Sequence, residues 1–392
     1  MKTFLAWRNL VHNRVRTLVA VAGVTFAVVL IFMQLGFFGA VETSATVVYS
    51  ALDFDLCIRS KDYLHFADSR SFPAARLKQA EGVTGVKTVS PYYVGIRLWR
   101  NPQPKKGEEY GVMVMGFRPQ DPVFLREDIQ ASARQLLVQE NVVLIDRLTR
   151  PEFGPMNGRR FGDEDIGVET EVMHRRVRLV GHFRLGTGFA SNGAVLMTDR
   201  GYARVSPGQS LKNNVCLGLI KIEKGADPVE VAARLRAALP GGRTPDVEVL
   251  TREEVLDIER NRWVGRTSFG LIFQLGVGVA LFVGTAIVYQ VLSADVASLM
   301  PEYATLKAMG YDNTYLMKVI LQQAVVLSLL GFLPGWGIAL LLYYVTSEGA
   351  GIPIQMTQQN LLMVLVLSVA MCALSGLGAA RKTFDADPAE LF

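Results

Sequence analysis

Residues Met300–Tyr311 read MPEYATLKAMGY, a short mixed segment set between two long hydrophobic runs. The spacing predicts a small helix with punctuation at both ends. Pro301 suits a first helical position, where its missing N–H costs nothing, and Gly310 suits the left-handed residue after the last turn. Tyr303, Leu306 and Met309 fall on one stripe, whereas Glu302, Thr305 and Lys307 are polar. Such a helix is only ~14 Å long and cannot cross a bilayer. From spacing alone it is either a membrane-surface turn joining two spans or a place where a partner attaches, and both readings stand at this point.

The flanks decide the fold class. Half of the 392 residues are hydrophobic, and the formal charge is only +5. The apolar residues concentrate in four runs, Leu18–Ala40, Phe269–Leu292, Leu316–Val345 and Leu361–Ala380. Each has about 20 residues or more, enough for ~30 Å of hydrocarbon, so four transmembrane helices are expected. The first run outlasts a signal-peptide core, and no small-x-small cleavage site directly follows a shorter one, so it reads as a retained helix. Arg8, Arg14 and Arg16 precede any acid, which puts the amino terminus in the cytoplasm by the positive-inside rule. Four spans return Arg381 and Lys382 to the same side, and the loop Thr346–Gln359 contains no Lys or Arg. The expected division is a cytoplasmic segment 1–17, spans at 18–40, 268–293, 315–345 and 360–380, a cytoplasmic loop 294–314, an outer loop 346–359 and a cytoplasmic tail 381–392.

Residues 41–267 remain, nearly balanced in charge and numerous enough to bury their own core. Their two flanks look alike. Asp55–Ser60 and Val86–Arg100 read as strands around a helix at Pro73–Ala80. Val215–Lys221 and Val247–Leu250 read as strands around a helix at Pro228–Leu239. Two β-α-β units of similar size suggest a split α/β sandwich built from both ends of the segment. Short runs between them (Val112–Phe117, Val142–Ile145, Val177–Val180, Ala194–Thr198) predict an inserted, mainly β lobe at about 110–205. The expected fold is thus an α-helical membrane protein with four transmembrane helices and a large α/β extracytoplasmic domain between helices one and two. Thr251–Arg266 is charged and helix-compatible and reaches the second span without a breaker. It is either a helix continuous with that span or a charged loop.

Chemistry is sparse. No G-x-x-x-x-G-K-[ST] occurs, nor any Gly-Lys dipeptide, so there is no Walker A phosphate loop. Leu374–Gly378, LSGLG, lies inside an apolar run and reads as helix packing, as do Gly276, Gly278, Gly284, Gly331, Gly335 and Gly337. His12, His65, His174 and His182 lack metal-binding spacing, with His174 and His182 read as solvated. Asp163–Glu164–Asp165 reads as a solvated acidic turn, lacking the alternating ligands of a calcium loop. Cys57 and Cys216 both fall on expected strands, where a disulfide is conceivable, but sequence does not supply their separation. No catalytic constellation, metal site or basic aromatic patch for nucleic acid is present. The spans hold almost no ionisable residue, which argues against an ion-coupled carrier.

The layout of one span, a large outer domain, three spans and a tail resembles the MacB/FtsX/LolC-type (type VII) ABC transporter permeases. That superfamily carries a stretch like R-E-I-G-T-L-K-A-I-G between its second and third spans, and Pro301–Gly310 here reads PEYATLKAMG. It also tends to end in a basic pair followed by D-P-A-E, found as Arg381-Lys382 and Asp387-Pro388-Ala389-Glu390. EYATLKAMGY, together with the first-span run Leu18–Phe37 and its Phe32-Met33-Gln34-Leu35-Gly36, is most similar to the DevC-type permeases. The departure is Pro301, where the wider superfamily carries Arg, so no guanidinium is available there for a partner.

The resemblance implies a non-catalytic permease subunit in the bacterial inner membrane, its large domain periplasmic. It implies a homodimer paired through spans one and two, with Met300–Tyr311 as a coupling helix docked on a separate, DevA-like ABC ATPase. ATP and Mg²⁺ would be bound by that ATPase, with no cofactor in this chain. A DevB-like membrane-fusion adaptor, a TolC-like outer-membrane channel and lipid-like cargo are implied as further partners. Within the coupling helix, Tyr303, Leu306 and Met309 would make the apolar contact, Glu302 and Lys307 rim ion pairs, Thr305 would lie on the polar face, and Gly310 would set the turn. Two relatives share the layout: FtsX-like proteins that activate a cell-wall hydrolase, and LolC/LolE-like lipoprotein extraction. Substrate-contact residues are not legible in the sequence.

Overall fold

The structure is a computed structural model. It describes residues 14–66, 68–103, 108–154, 158–186, 192–206, 213–239, 246–265, 268–298, 300, 305, 309–350 and 352–384. In chain order, α1 (Arg14–Ala51) is followed by β1 (Leu56–Ser60), β2 (Phe72–Pro73), α2 (Ala75–Glu81), β3 (Val86–Arg100) and β4 (Glu109–Phe117). Then come α3 (Glu127–Leu136), β5 (Val142–Asp146), β6 (Glu169–Val172), β7 (Arg175–Phe183), β8 (Ala194–Thr198) and α4 (Asp199–Arg204). The chain continues through β9 (Asn214–Val215), β10 (Leu217–Ile222), α5 (Pro228–Ala238), β11 (Val247–Thr251) and α6 (Arg252–Gly265). Three long helices complete it: α7 (Ser268–Ser298), α8 (Asn313–Ala350) and α9 (Gln358–Phe384). Two compact units result, one of Met1–Ala40, Thr267–Ala350 and Ile354–Phe392, the other of Val41–Arg266 with Gly351–Pro353.

Among the described residues four helices are long and apolar enough to cross a membrane, α1, α7, α8 and α9; α1 belongs to the first unit as far as Ala40. Small residues let them approach closely. A Cβ on Gly331 of α8 would come within 2.5 Å of Val24 on α1, and Thr25 Oγ1 donates to the Gly331 carbonyl at 3.1 Å. Gly284 of α7 meets Ala27 of α1 and Met371 of α9 in the same way, and Phe37 stacks on Phe273 with ring centres 5.7 Å apart. Lipid tails are as apolar as leucine, so association rests on such backbone-close van der Waals contact. Gly276 and Gly335 also face neighbouring side chains, whereas Gly278 and Gly337 face open space.

The second unit is a nine-stranded mixed sheet in the order β11-β1-β10-β3-β4-β8-β5-β7-β6. β1 lies between β11 and β10 and is antiparallel to both, and β10 is antiparallel to β3. Hence β1-α2-β3 encloses β10, while β10-α5-β11 encloses β1: two split β-α-β units interlock. The strands over 110–205 do not make a lobe with a sheet of its own. β4 pairs along β3 from Tyr92↔Phe117 to Arg100↔Glu109, and β8 extends the sheet in parallel to β4. The physical reason is the edge: β3 would otherwise expose a row of unpaired N–H and C=O groups, which β4 satisfies. The helix α3 lies within this stretch, with Ile129 and Ala133 in the core.

Alternation along β1 sorts its side chains into two layers. Leu56 and Ile58 face Leu77 of α2 and Val231 and Leu235 of α5. Cys57 faces the other layer, among Tyr49 of α1 and Val255 of α6. Arg59, two residues on, points the same way as Cys57, into the layer that contains the end of α1 and the buried face of α6.

Candidate functional site

The expected coupling segment lies where α7 gives way to α8. Glu302, Tyr303, Leu306 and Lys307 fall outside the described residues, so their calls concern positions without a structural account. Thr305 is helical and exposed, and its carbonyl accepts the Met309 N–H at 3.1 Å. The chain then turns at Gly310, whose φ of +93° lies in the left-handed region that glycine enters without steric cost. Met309 is 63% exposed, and Tyr311, also exposed, packs its ring on Tyr315 at 4.8 Å. Asp312 opens α8: its carboxylate accepts from Thr314 Oγ1 at 2.8 Å, a bond that holds its acid below the ordinary carboxylate range. The described part of the segment thus presents Met309 and Tyr311 to the surroundings, with the exposed Tyr315 of α8 beside them.

Basic residues gather at the same end of the bundle. Arg16 Nη1 donates to the Ala294 carbonyl near the end of α7 at 3.4 Å. Val296 of α7, Leu316 and Ile320 of α8 and Ala380 of α9 form one buried cluster, so Arg381 follows directly from it. The start of α1, the α7–α8 connection and the end of α9 therefore share one end, as four alternating spans require.

The second unit contains a polar constellation that periodicity alone did not single out. Arg59 on β1 stands opposite Glu248 on β11 in the strand register and hydrogen-bonds to its carboxylate through Nε. Its Nη1 lies 3.6 Å from Oε1 of Glu259 on α6, and its guanidinium sits 4.4 Å above the Tyr63 ring. Arg59 is 3% exposed and Glu259 is fully buried. The Tyr63 hydroxyl is hydrogen-bonded to the Tyr49 hydroxyl on α1. The available sequence signal was an arginine inside the apolar run of β1, on the face shared with Cys57. Glu259 adds to it, one helical turn from the buried Val255.

A second brace ties the same elements. Arg252, the first residue of α6, donates Nη1 to the Leu52 carbonyl at 2.6 Å and Nη2 to the Ser50 carbonyl at 3.2 Å. Its guanidinium lies 4.9 Å above the Phe54 ring. The last carbonyls of α1 have no intrahelical partner and carry the negative end of the helix dipole, so a cation suits them doubly. Lys221 on β10 reaches Asp53 at 3.0 Å and Asp55 at 2.9 Å on the link from α1 to β1.

Other expectations are corrected or placed. His174 is 72% exposed, but the side chain of His182 is 5% exposed, and burial lowers its pKa. His182 alternates with the buried Gly181 and Phe183 at the end of β7, too close to the sheet core to be solvated. In the acidic turn, Asp163 and Glu164 are exposed but Asp165 is buried. It binds Arg159 at 2.8 Å and accepts the Gly162 N–H at 2.7 Å, which closes the turn. Cys57, Cys216 and Cys372 are free and buried.

Residues 275–388 match the family model described as FtsX-like permease, C-terminal. No curated protein matches the chain. The periplasmic region of MacB from Actinobacillus actinomycetemcomitans is a similar solved structure, 12% identical with a TM-score of 0.36, over 55% of this chain and 96% of that one. The extracellular domain of the noncanonic ABC-type transporter YknZ from Gram-positive bacteria is 15% identical with a TM-score of 0.33, over 50% of this chain and 99% of that one. Neither likeness is close enough to define the fold here. The match over 275–388 covers α8, α9 and most of α7.

Proposed function

We propose that the chain is the permease subunit of a type VII ABC transporter in the bacterial inner membrane, transmitting the work of a separate ABC ATPase to its large domain. The observation that carries this reading is the FtsX-like permease match over 275–388, a stretch that includes Met300–Tyr311. The lack of a Walker A loop agrees with it, because an ATP-driven machine built on this chain needs its nucleotide site elsewhere. The clustering of Arg16, the α7–α8 connection and Arg381 at one bundle end favours that end as cytoplasmic, where lysine and arginine accumulate. The large domain, which follows the first span in the sequence, is periplasmic in this reading.

In this reading Met300–Tyr311 docks in a cleft on the ATPase. Tyr303, Leu306 and Met309 supply the desolvated centre, with Glu302 and Lys307 at the rim. ATP-driven closure of two ATPases moves α7 in each of two paired permeases. Arg252 and the Arg59 constellation hold α6 and the end of α1 to the sheet. The DevC-like motifs favour export of lipid-like cargo with a DevB-like adaptor and a TolC-like channel. Co-purification of the tagged full chain tests the proposal. A soluble ATPase at one copy per permease, with measurable ATP hydrolysis and lost on Leu306→Asp, is the expected outcome. A chain that purifies alone in several detergents removes the permease reading.

A further inference from the structure

Among the described residues Glu259 is an ionisable group in a buried setting. It is fully buried on α6, and neither carboxylate oxygen has a hydrogen-bond partner of sound geometry. Arg59 Nη1 is 3.6 Å away, beyond hydrogen-bonding distance, and the Tyr63 hydroxyl is bonded to Tyr49. The groups facing it come from every element packed around it: Arg59 and Cys57 on β1, Glu248 on β11, Tyr49 on α1, Tyr63 in the loop after β1, and Arg262 on α6 itself. Arg59 is already matched by Glu248 through a direct hydrogen bond. With a proton on Glu259 the buried Arg59 is balanced by the partly exposed Glu248 alone. Ionised, Glu259 is a fully buried carboxylate with no hydrogen-bond donor on either oxygen among the described residues, a costly arrangement.

We propose that Glu259 is a proton switch that sets how firmly α6 is seated on β1 and β11: the neutral acid holds the helix down, and the carboxylate loosens it. Burial pushes the Glu259 acid up to about 7, against the pull of Arg59, Tyr63 and Arg262, which favour the charged form. The switch therefore operates near neutrality. The folded-state acid is weaker than the exposed one, so the stabilisation is fully present below the ordinary carboxylate range and disappears as pH rises through about 7. α6 leads in sequence to α7, so the switch sits at the root of the segment that enters the membrane region. The inference rests on the domain geometry alone and stands whether or not an ATPase docks.

Hydrogen–deuterium exchange of the full chain in lipid nanodiscs, corrected for intrinsic exchange rates, reads the opening of α6 directly. The opening constant of the α6 amides is expected to rise with pH, by up to about tenfold per pH unit, and to level off above about 7. In Glu259→Gln the dependence flattens and α6 stays closed. A wild-type α6 with no pH dependence beyond the intrinsic rate overturns the proposal, even if Glu259→Gln fails to fold. Retention of the wild-type slope in Glu259→Gln also overturns it. His65, whose ring meets Trp263 of α6 at 6.1 Å, is the nearest alternative titrating group. Burial lowers its pKa, so it predicts the opposite sign, with α6 opening as pH falls. That outcome likewise removes Glu259 as the switch.

Discussion

Arg252 resolves a difficulty that every helix end poses, the last carbonyls left without a partner. It serves the end of α1 from the beginning of α6, although it stands 200 positions after Leu52. Charge-assisted bonds of this kind contribute about 1.5–3 kcal/mol, so Arg252→Ala should cost that much in thermal unfolding of the full chain and speed amide exchange over the last turn of α1. Arg252→Lys should recover only part of the loss, since one ammonium cannot reproduce a planar fork that reaches the Ser50 and Leu52 carbonyls together. Nothing in the spacing of Arg252 announces this role, because its acceptors are backbone atoms of a distant helix end. Arg59 is different: a charge inside the apolar run Leu56–Ser60 is visible in the sequence as a violation of the pattern, though its partner is not.

At the scale of the element, glycines in the membrane helices separate into two kinds. Gly331 is backed by Val24 and Thr25 of α1, whereas nothing stands within 4 Å of the position a Cβ would take on Gly337. Gly331→Ala should lower the melting temperature of the detergent-solubilised chain, because overpacking costs about 1–3 kcal/mol, more than the helix-propensity gain returns. Gly337→Ala should hold it or raise stability by up to about 1 kcal/mol. Equal effects would mean that the α1–α8 contact does not depend on close approach. Hydropathy identified both glycines as helical and neither as a contact, since facing depends on how the helices are rotated against one another. The helix α3 escaped notice for a related reason: its apolar stripe is short, and Arg126, without a side-chain cap, precedes it.

For the whole molecule, the proposed function predicts that docking on an ATPase and transmission to the large domain are separable. Leu306→Asp should abolish capture of the ATPase while leaving the domain's stability unchanged. Arg252→Ala should keep the ATPase at one copy per permease and reduce transport, because it acts on the root of the domain and not on the docking segment. Co-purification and a transport assay on the same two variants check this directly. Loss of ATPase capture in Arg252→Ala would show that the domain end of the chain shapes the docking surface, and the separation would fail.

The four membrane helices were legible from the sequence because hydrocarbon thickness imposes a length and polarity that no neighbour can alter. Strand-helix-strand runs at both flanks of the domain were legible for a similar reason, since alternation and helical periodicity are local properties. Gly310 as a left-handed stop was also readable, because its backbone requirement belongs to one residue. The tertiary structure alone decided that β3 and β4 join nine strands in one sheet, with β2 and β9 paired apart, where an inserted lobe was expected. Pairing is a choice of partner across the chain, driven by satisfying an edge. It alone, too, brought Arg59, Glu248 and Glu259 together from β1, β11 and α6. Burial and charge balance are properties of a neighbourhood, and a sequence lists residues without their neighbours.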